Sequence, residues 1–192
     1  TRSEEENVEY SLTALEWANQ SGLPVITNAG MFAMDGSTHV GYLRSSTGHV
    51  NSAGVNKYKS AAAFAPKRED LPPFRIFDLD RTPMDTVKAR YEGVMQNFRL
   101  IKRPGVNRWS QQDKRWSEMT LAEDKDGNII LAFSRSPYPM HVFNEILLDL
   151  PIGIVAAQHL EGGPEASLVV QTDGITEAFM GSWETGFYEM DD

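Results

Sequence analysis

Two strand-like runs, Trp116–Glu123 and Asn128–Ser134, flank Asp126-Gly127, and no other feature limits the fold of this chain as sharply. An Asp-Gly pair supplies the turn residues that join neighbouring antiparallel strands. A second such unit is predicted near the end, where Ala166–Gln171 and Ile175–Met180 pair across Thr172-Asp173-Gly174. Short strands are also predicted at Pro24–Thr27, His39–Arg44, Ala61–Ala65, Phe74–Leu79 and Gly153–Leu160, the last apolar enough to be buried. Three segments carry helical signals instead. Val8, Leu12 and Leu15, with Ala14 and Ala18 beside them, predict an amphipathic helix from about Asn7 to Asn19, stopped by Gly22. Thr82–Tyr91 predicts a short helix with Thr82 as N-cap and Pro83 at its first position. Pro139–Leu150 carries Val142, Phe143, Ile146, Leu147 and Leu150 toward a core, and Pro151 and Gly153 end it. Strands outnumber helices. The expected fold class is α+β, with a mainly antiparallel or mixed β-sheet packed against a few helices.

A chain of 192 residues buries one core of ordinary size, so residues 1–192 are read as a single domain. The longest apolar stretch, near Ile146–Ala157, is broken by Asp149 and Pro151, so no transmembrane segment is expected. The chain begins at Thr1 without an initiator Met, and the expectation is a trimmed N-terminus from which a signal peptide has been lost. A net charge of −9 argues against a nucleic-acid partner, which requires a Lys/Arg-rich surface. Lys102, Arg103, Arg108, Lys114 and Arg115 nevertheless lie close together, as a solvated loop or as an anion site. Cysteine is absent, which excludes disulfides and thiolate metal sites. His39, His49, His141 and His159 share no metal-ligand spacing, and no nucleophile elbow, P-loop or dinucleotide fingerprint is present. No metal and no cofactor are expected, although carboxylates suit a hard divalent cation where spacing allows.

Three segments can carry chemistry. In His159-Leu160-Glu161-Gly162-Gly163-Pro164-Glu165-Ala166-Ser167-Leu168 a buried strand ends at a carboxylate, and two glycines, a second carboxylate and a hydroxyl follow. Glycines there let backbone approach a ligand, and two carboxylates can divide acid and base work. The same run also describes an ordinary strand–turn–strand. In Thr27-Asn28-Ala29-Gly30-Met31-Phe32 the Asn28 amide can bond a sugar hydroxyl or a phosphate oxygen, and Gly30 can take positive φ. The alternative is a loop in which Asn28 bonds its own backbone. Met95-Gln96-Asn97, followed by the basic stretch ending Lys114-Arg115-Trp116, offers an arginine fork for phosphate. Trp109 and Trp116 are either sugar-stacking faces or core residues.

Taken in order, these segments resemble the phosphodiester glycosidase domain family. Asn28-Ala29-Gly30-Met31-Phe32 stands where the family shows an Asn-Gly-Gly-Phe-Phe-like turn, and Gln96-Asn97 where it shows a Gln-x-Gly-Pro-like segment. Arg115 precedes the Asp126-Gly127 hairpin, and Leu160-Glu161-Gly162-Gly163 matches a Leu-Asp-Gly-Gly-Gly-Ser-like motif. The resemblance runs from about Val25 to Gln171. Departures are clear: Glu161 replaces the family's aspartate, Pro164, Glu165 and Ala166 stand where glycine and serines are usual, and the Gly-Pro after Gln96 is missing. The resemblance implies a divergent, bacterial-type hydrolase acting on a sugar-phosphodiester or related glycoconjugate, exported to the periplasm or the extracellular space. The ligand is then a carbohydrate or sugar-phosphate.

In a sugar-1-phosphodiester the leaving group is a phosphate ester, already a weak base, so charge stabilisation matters more than protonation. On that logic Arg115 is assigned to the phosphate. Asn28 and the amides of Gly162 and Gly163 act as neutral donors, with Gly30, Gln96 and Ser167 completing the substrate site. Glu161 is the base or the stabiliser of the oxocarbenium-like centre, and Glu165 is the second carboxylate; their separation decides retention or inversion. The competing reading is a non-catalytic carbohydrate- or cell-envelope-binding module on the same fold, favoured by the departures at Pro164–Ala166.

Overall fold

The computed structural model describes residues 12–172 and 174–185, which form three helices and thirteen strands. In chain order these are α1 (Ala14–Ser21), β1 (Val25–Thr27), β2 (Leu43–Arg44), β3 (Val50–Ser52), β4 (Ser60–Pro66), β5 (Phe74–Asp78), α2 (Met84–Arg90) and β6 (Tyr91–Asn97). There follow β7 (Arg99–Lys102), β8 (Val106–Asn107), β9 (Arg115–Asp124), β10 (Ile129–Pro139), α3 (Met140–Asp149), β11 (Ile154–Gly162), a 3-10 turn (Gly163–Glu165), β12 (Ser167–Thr172) and β13 (Ile175–Met180). They build sheets ordered β10-β9-β11-β7-β8, β3-β2-β6-β4-β5 and β1-β12-β13. Every pairing is antiparallel. The fold is α+β, as the turn chemistry predicts.

Side-chain alternation along the strands sorts the core into layers. Ala62, Phe74, Ile76 and Met95 from one large sheet meet Met119, Leu121, Ala156 and Leu160 from the other, and Ala166 and Leu168 close that interface. On the outer face of the β4–β6 sheet, Ala61, Ala63, Tyr91 and Val94 pack under Met84 and Val87 of α2. On the outer face of the β9–β11 sheet, Ala122, Ile154 and Ala157 pack under Met140, Phe143 and Leu147 of α3. The order is therefore helix, sheet, sheet, helix. Helix α3 covers only part of the outer face of the β9–β11 sheet.

The β9–β10 hairpin forms where Asp126-Gly127 predicts it. Asp124 organises the turn by accepting from Asp126 N at 2.9 Å, Asn128 N at 2.8 Å and Asn128 Nδ2 at 2.8 Å. Strand β10 continues past Ser134 to Pro139 through an irregularity between Ser134 and Tyr138. Other expectations need correction. Of the helix expected at Asn7–Asn19, residues 7–11 lie outside the described residues, and α1 starts only at Ala14. Thr13 is its N-cap and shares a capping box with Glu16. Leu15, expected on the buried stripe, is exposed, and Ala18 is the buried residue of this helix. Helix α2 is capped by Pro83 rather than Thr82, whose N–H donates instead to Asp78 O. His39–Arg44 is strand only at Leu43–Arg44, with an isolated bridge between Phe32 and His39. The β12–β13 hairpin forms, but Asp173 of its turn lies outside the described residues.

Candidate active site

Alternation along β9 turns Trp116, Glu118 and Thr120 to the same face as Ala122, beside α3. On the neighbouring β11, His159 stands opposite Thr120, and a bulge between His159 and Glu161 carries the strand on to Gly162, opposite Glu118. Bulges re-aim side chains, and this one leaves both His159 and Glu161 on the α3 side. Glu118 is only 1% exposed. Its carboxylate accepts from Trp116 Nε1 at 2.7 Å, Thr120 Oγ1 at 2.7 Å and His159 Nδ1 at 2.9 Å to each oxygen. Such saturation is what lets a charged group stay buried.

The two groups facing Glu118 and its surroundings titrate abnormally. Burial disfavours the His159 imidazolium, but the Glu118 carboxylate, by charge and by hydrogen bond, outweighs it. Glu161 and Glu184 add to the effect, and the ring is held above the usual histidine range. With Nδ1 committed to Glu118, Nε2 is left for the cleft that the ring lines. Glu161 is pushed above the usual carboxylate range chiefly by burial, with Glu165 and Glu118 acting in the same direction. The Gly162 N–H, 3.0 Å from its Oε1, and His159 oppose the shift. A desolvated carboxyl beside a carboxylate-held imidazole is a pair suited to acid–base work.

Both open on a cleft of about 270 Å³ lined by Met31, Phe98, Trp109, Trp116, His159, Glu161, Gly162 and Glu184. The aromatic wall is continuous: Phe98 and Trp109 meet edge-on at 5.8 Å between centroids, and Trp109 and Trp116 at 6.1 Å. The two tryptophans back onto the α3 core and also line the cleft. Gly162 is needed for close approach, because a Cβ there would stand 2.7 Å from Trp116 Cδ1. Glu184 arrives from the end of the described chain. Ser117 N donates to Trp183 O at 2.8 Å, Thr185 N to Arg115 O at 2.9 Å, and Glu184 itself bridges Trp116.

The expected site residues divide. Glu161 and Gly162 line the cleft, and Gly163 lies directly behind, buried against Glu184. The Gly162 amide is not free for a ligand, because Glu161 accepts it. Glu165 is exposed and does not line the cleft, where Glu184 takes the place expected of a second carboxylate. Asn28 and Ser167 are spent on each other: Asn28 Oδ1 accepts from Ser167 N at 2.7 Å and Ser167 Oγ at 2.9 Å, while Asn28 Nδ2 donates to Glu165 O at 3.1 Å. They tie the first turn to the 3-10 turn, a third outcome beside ligand binding and local capping. Gly30, at φ +134°, passes so close to His39 and Asn97 that a Cβ would stand 2.5 Å from His39 Nε2; its neighbour Met31 reaches the cleft.

Two further assignments are corrected. Gln96 is fully buried. Its amide donates to Asn56 O at 3.0 Å and Tyr58 O at 2.8 Å, and accepts from Tyr42 N and Asn56 N at 3.2 Å each. It staples backbone and has nothing left for substrate. Arg115 is exposed and lies outside the cleft lining, because it precedes Trp116 on a strand where consecutive side chains take opposite faces. Within the basic stretch, Lys102 pairs with Asp78 and Arg103 with Glu123. Sequence reasoning missed Glu118, Phe98 and Glu184. For Glu118 a signal exists: a carboxylate two residues from a Trp and two from a Thr, inside an otherwise strand-forming run, is a charge on the inward period. Among the described residues no group of three His, Asp or Glu side chains is placed to hold a metal ion.

The family model described as phosphodiester glycosidase matches residues 21–185. Among solved structures, the catalytic domain of zebrafish N-acetylglucosamine-1-phosphodiester alpha-N-acetylglucosaminidase, auto-inhibited by its pro-peptide, is similar with a TM-score of 0.63 at 16% identity, over 84% of this chain and 58% of that one. A hypothetical protein from Synechocystis is similar with a TM-score of 0.56 at 16% identity, over 84% of this chain and 50% of that one. At such identity the likeness is one of fold, and this chain spans about half the length of each. Among curated proteins, none matches the sequence.

Proposed function

The chain belongs to the phosphodiester glycosidase family, and on that premise we propose that its cleft hydrolyses the bond between a sugar and a phosphodiester. The observation that carries the proposal is the Glu118–His159 pair opening, beside the desolvated Glu161, on an aromatic-walled cleft. Sites for small ligands are mostly apolar with a few convergent polar groups, and this lining has that character. The apolar face of the sugar ring packs on Trp109 and Trp116. The bond from the anomeric carbon to the phosphate oxygen breaks, and the electron pair leaves with the phosphate. The His159 imidazolium offsets that charge from Nε2, in the role first given to Arg115. Glu161, ionised, stabilises the oxocarbenium-like centre or takes the proton of the attacking water, and Glu184 is the second carboxylate. Water contributes its hydroxyl to the sugar and its proton to the departing phosphate.

The test is release of phosphate monoester from a chromogenic sugar-1-phosphodiester by the purified chain. Glu161→Gln is expected to lower kcat by roughly 10²-fold or more, the usual scale for losing a positioned acid or base. Full turnover by that variant would remove Glu161 from the mechanism. Saturable binding of the diester with no turnover by the unaltered chain would favour the binding-module reading. On the family resemblance we further propose that the protein works outside the cytoplasm, which fractionation of its native host would check. No helix among the described residues is long and apolar enough to cross a membrane.

A further inference from the structure

We propose that the cations beside the cleft form a second anion subsite, so that the substrate is a sugar phosphodiester whose aglycone carries at least one further negative charge. This deepens the reading of the cleft and rests on it. Next to the cleft is a pocket of about 200 Å³ lined by Lys57, Tyr58, Lys59, Phe98, Arg99 and Arg108. Four cations and no carboxylate line it, in a chain whose net charge is −9. Phe98 is a wall of both spaces.

The ring spacing sets what the pocket can reach. Phe98 lies 6.3 Å from the His159 ring and 3.9 Å from the Tyr58 ring, centroid to centroid. The cations therefore stand across one aromatic ring from the imidazole. A phosphate bonded directly to the anomeric carbon sits at the imidazole; the group on its far side extends toward the cations. Two of the four are already compensated, Lys59 by Asp80 at 3.2 Å and Arg99 by Asp78 and Asp80. Lys57 and Arg108 are exposed and have no ion pair among the described residues. Their charge is the uncompensated part, and the Arg108 fork suits phosphate oxygens bidentately. The backbone that presents them is held. Gln96 fixes Asn56 and Tyr58 on either side of Lys57, and Arg108 N donates to Leu100 O at 3.2 Å. The buried Gln96 staple thus has a purpose at this subsite.

The experiment compares two diesters of the same sugar 1-phosphate, one with a methyl aglycone and one whose aglycone ends in a phosphate monoester. For the unaltered chain, KM for the doubly charged diester is expected to be lower on the order of tenfold, the effect of one charged hydrogen bond. Lys57→Ala combined with Arg108→Ala brings the ratio of the two KM values close to one, and added salt narrows it. Equal KM values in the unaltered chain, or an unchanged ratio in the double variant, overturn the subsite. If neither diester is cleaved, the proposed activity fails on its own. The subsite is then decided by calorimetry with inorganic pyrophosphate: binding weakened in the double variant supports it, and the same or no binding in both proteins overturns it.

Discussion

Glu118→Gln keeps the shape of the buried side chain and one accepting oxygen while removing the charge that offsets burial of the His159 ring. The His159 pKa is then expected to fall, and the alkaline limb of kcat/KM to move to lower pH, which a pH–rate profile and imidazole NMR titration would both read. The sign for stability follows. A histidine whose folded pKa is raised contributes stability fully below its unfolded value, and that contribution disappears as pH rises through the folded one. The unaltered protein should therefore lose stability with rising pH above the usual histidine range, and Glu118→Gln should flatten that slope. Arg115 makes the opposite case. Because its side chain leaves the strand away from the cleft, Arg115→Ala is expected to change kcat/KM for a phosphodiester less than about twofold, and stability by no more than about 0.5 kcal/mol. A large loss confined to phosphate-bearing ligands would restore Arg115 as the phosphate partner.

At the scale of elements, β9 and β11 make the site by pairing with a bulge, and Gly162 at the end of β11 packs tightly against Trp116. Gly162→Ala pushes a methyl into the Trp116 indole, whose N–H holds Glu118. The expected result is a loss of about 1–3 kcal/mol in denaturant unfolding, the usual overpacking cost, together with a raised KM. Wild-type stability and KM would show that Trp116 moves without consequence. The elements also differ in how visible they were. The β9–β10 and β12–β13 hairpins and the place of α3 are written locally, but of the stripe expected to face the core on α3 only Phe143 and Leu147 are buried, while Val142, Ile146 and Leu150 are exposed. Strand β6 is not: buried on both faces, it lacks polar alternation, and its Gln96 and Asn97 imitate a functional loop. The α1 start was marked by the Thr13–Glu16 capping box, which the apolar spacing upstream of it obscured.

At the scale of the whole molecule, the cleft exists because α3 covers only part of the outer β9–β11 face and the last described segment returns along β9. That return delivers Glu184 to a site whose other members range along the chain from Met31 to Gly162. Glu184→Gln removes one of the charges that raise the His159 pKa and one carboxylate from the cleft. It is expected to lower kcat on the phosphodiester on the order of tenfold or more while leaving thermal unfolding nearly unchanged. Unaltered kcat would exclude Glu184 from the chemistry.

The α+β class, the hairpins and the place of α3 were determined by the sequence alone, because turn chemistry and side-chain periodicity act between near neighbours, and the family by the order of the motifs between Val25 and Gln171. The membership of the site was decided by tertiary structure. His159 meets Glu118 across 41 positions and Asn28 meets Glu165 across 137, and the period-2 geometry of β9 separates Arg115 from Trp116. Which carboxylate is saturated by donors, which is desolvated and which faces water depends on strand register and on what covers each face. Those are properties of packed sheets, and no local pattern of residues carries them.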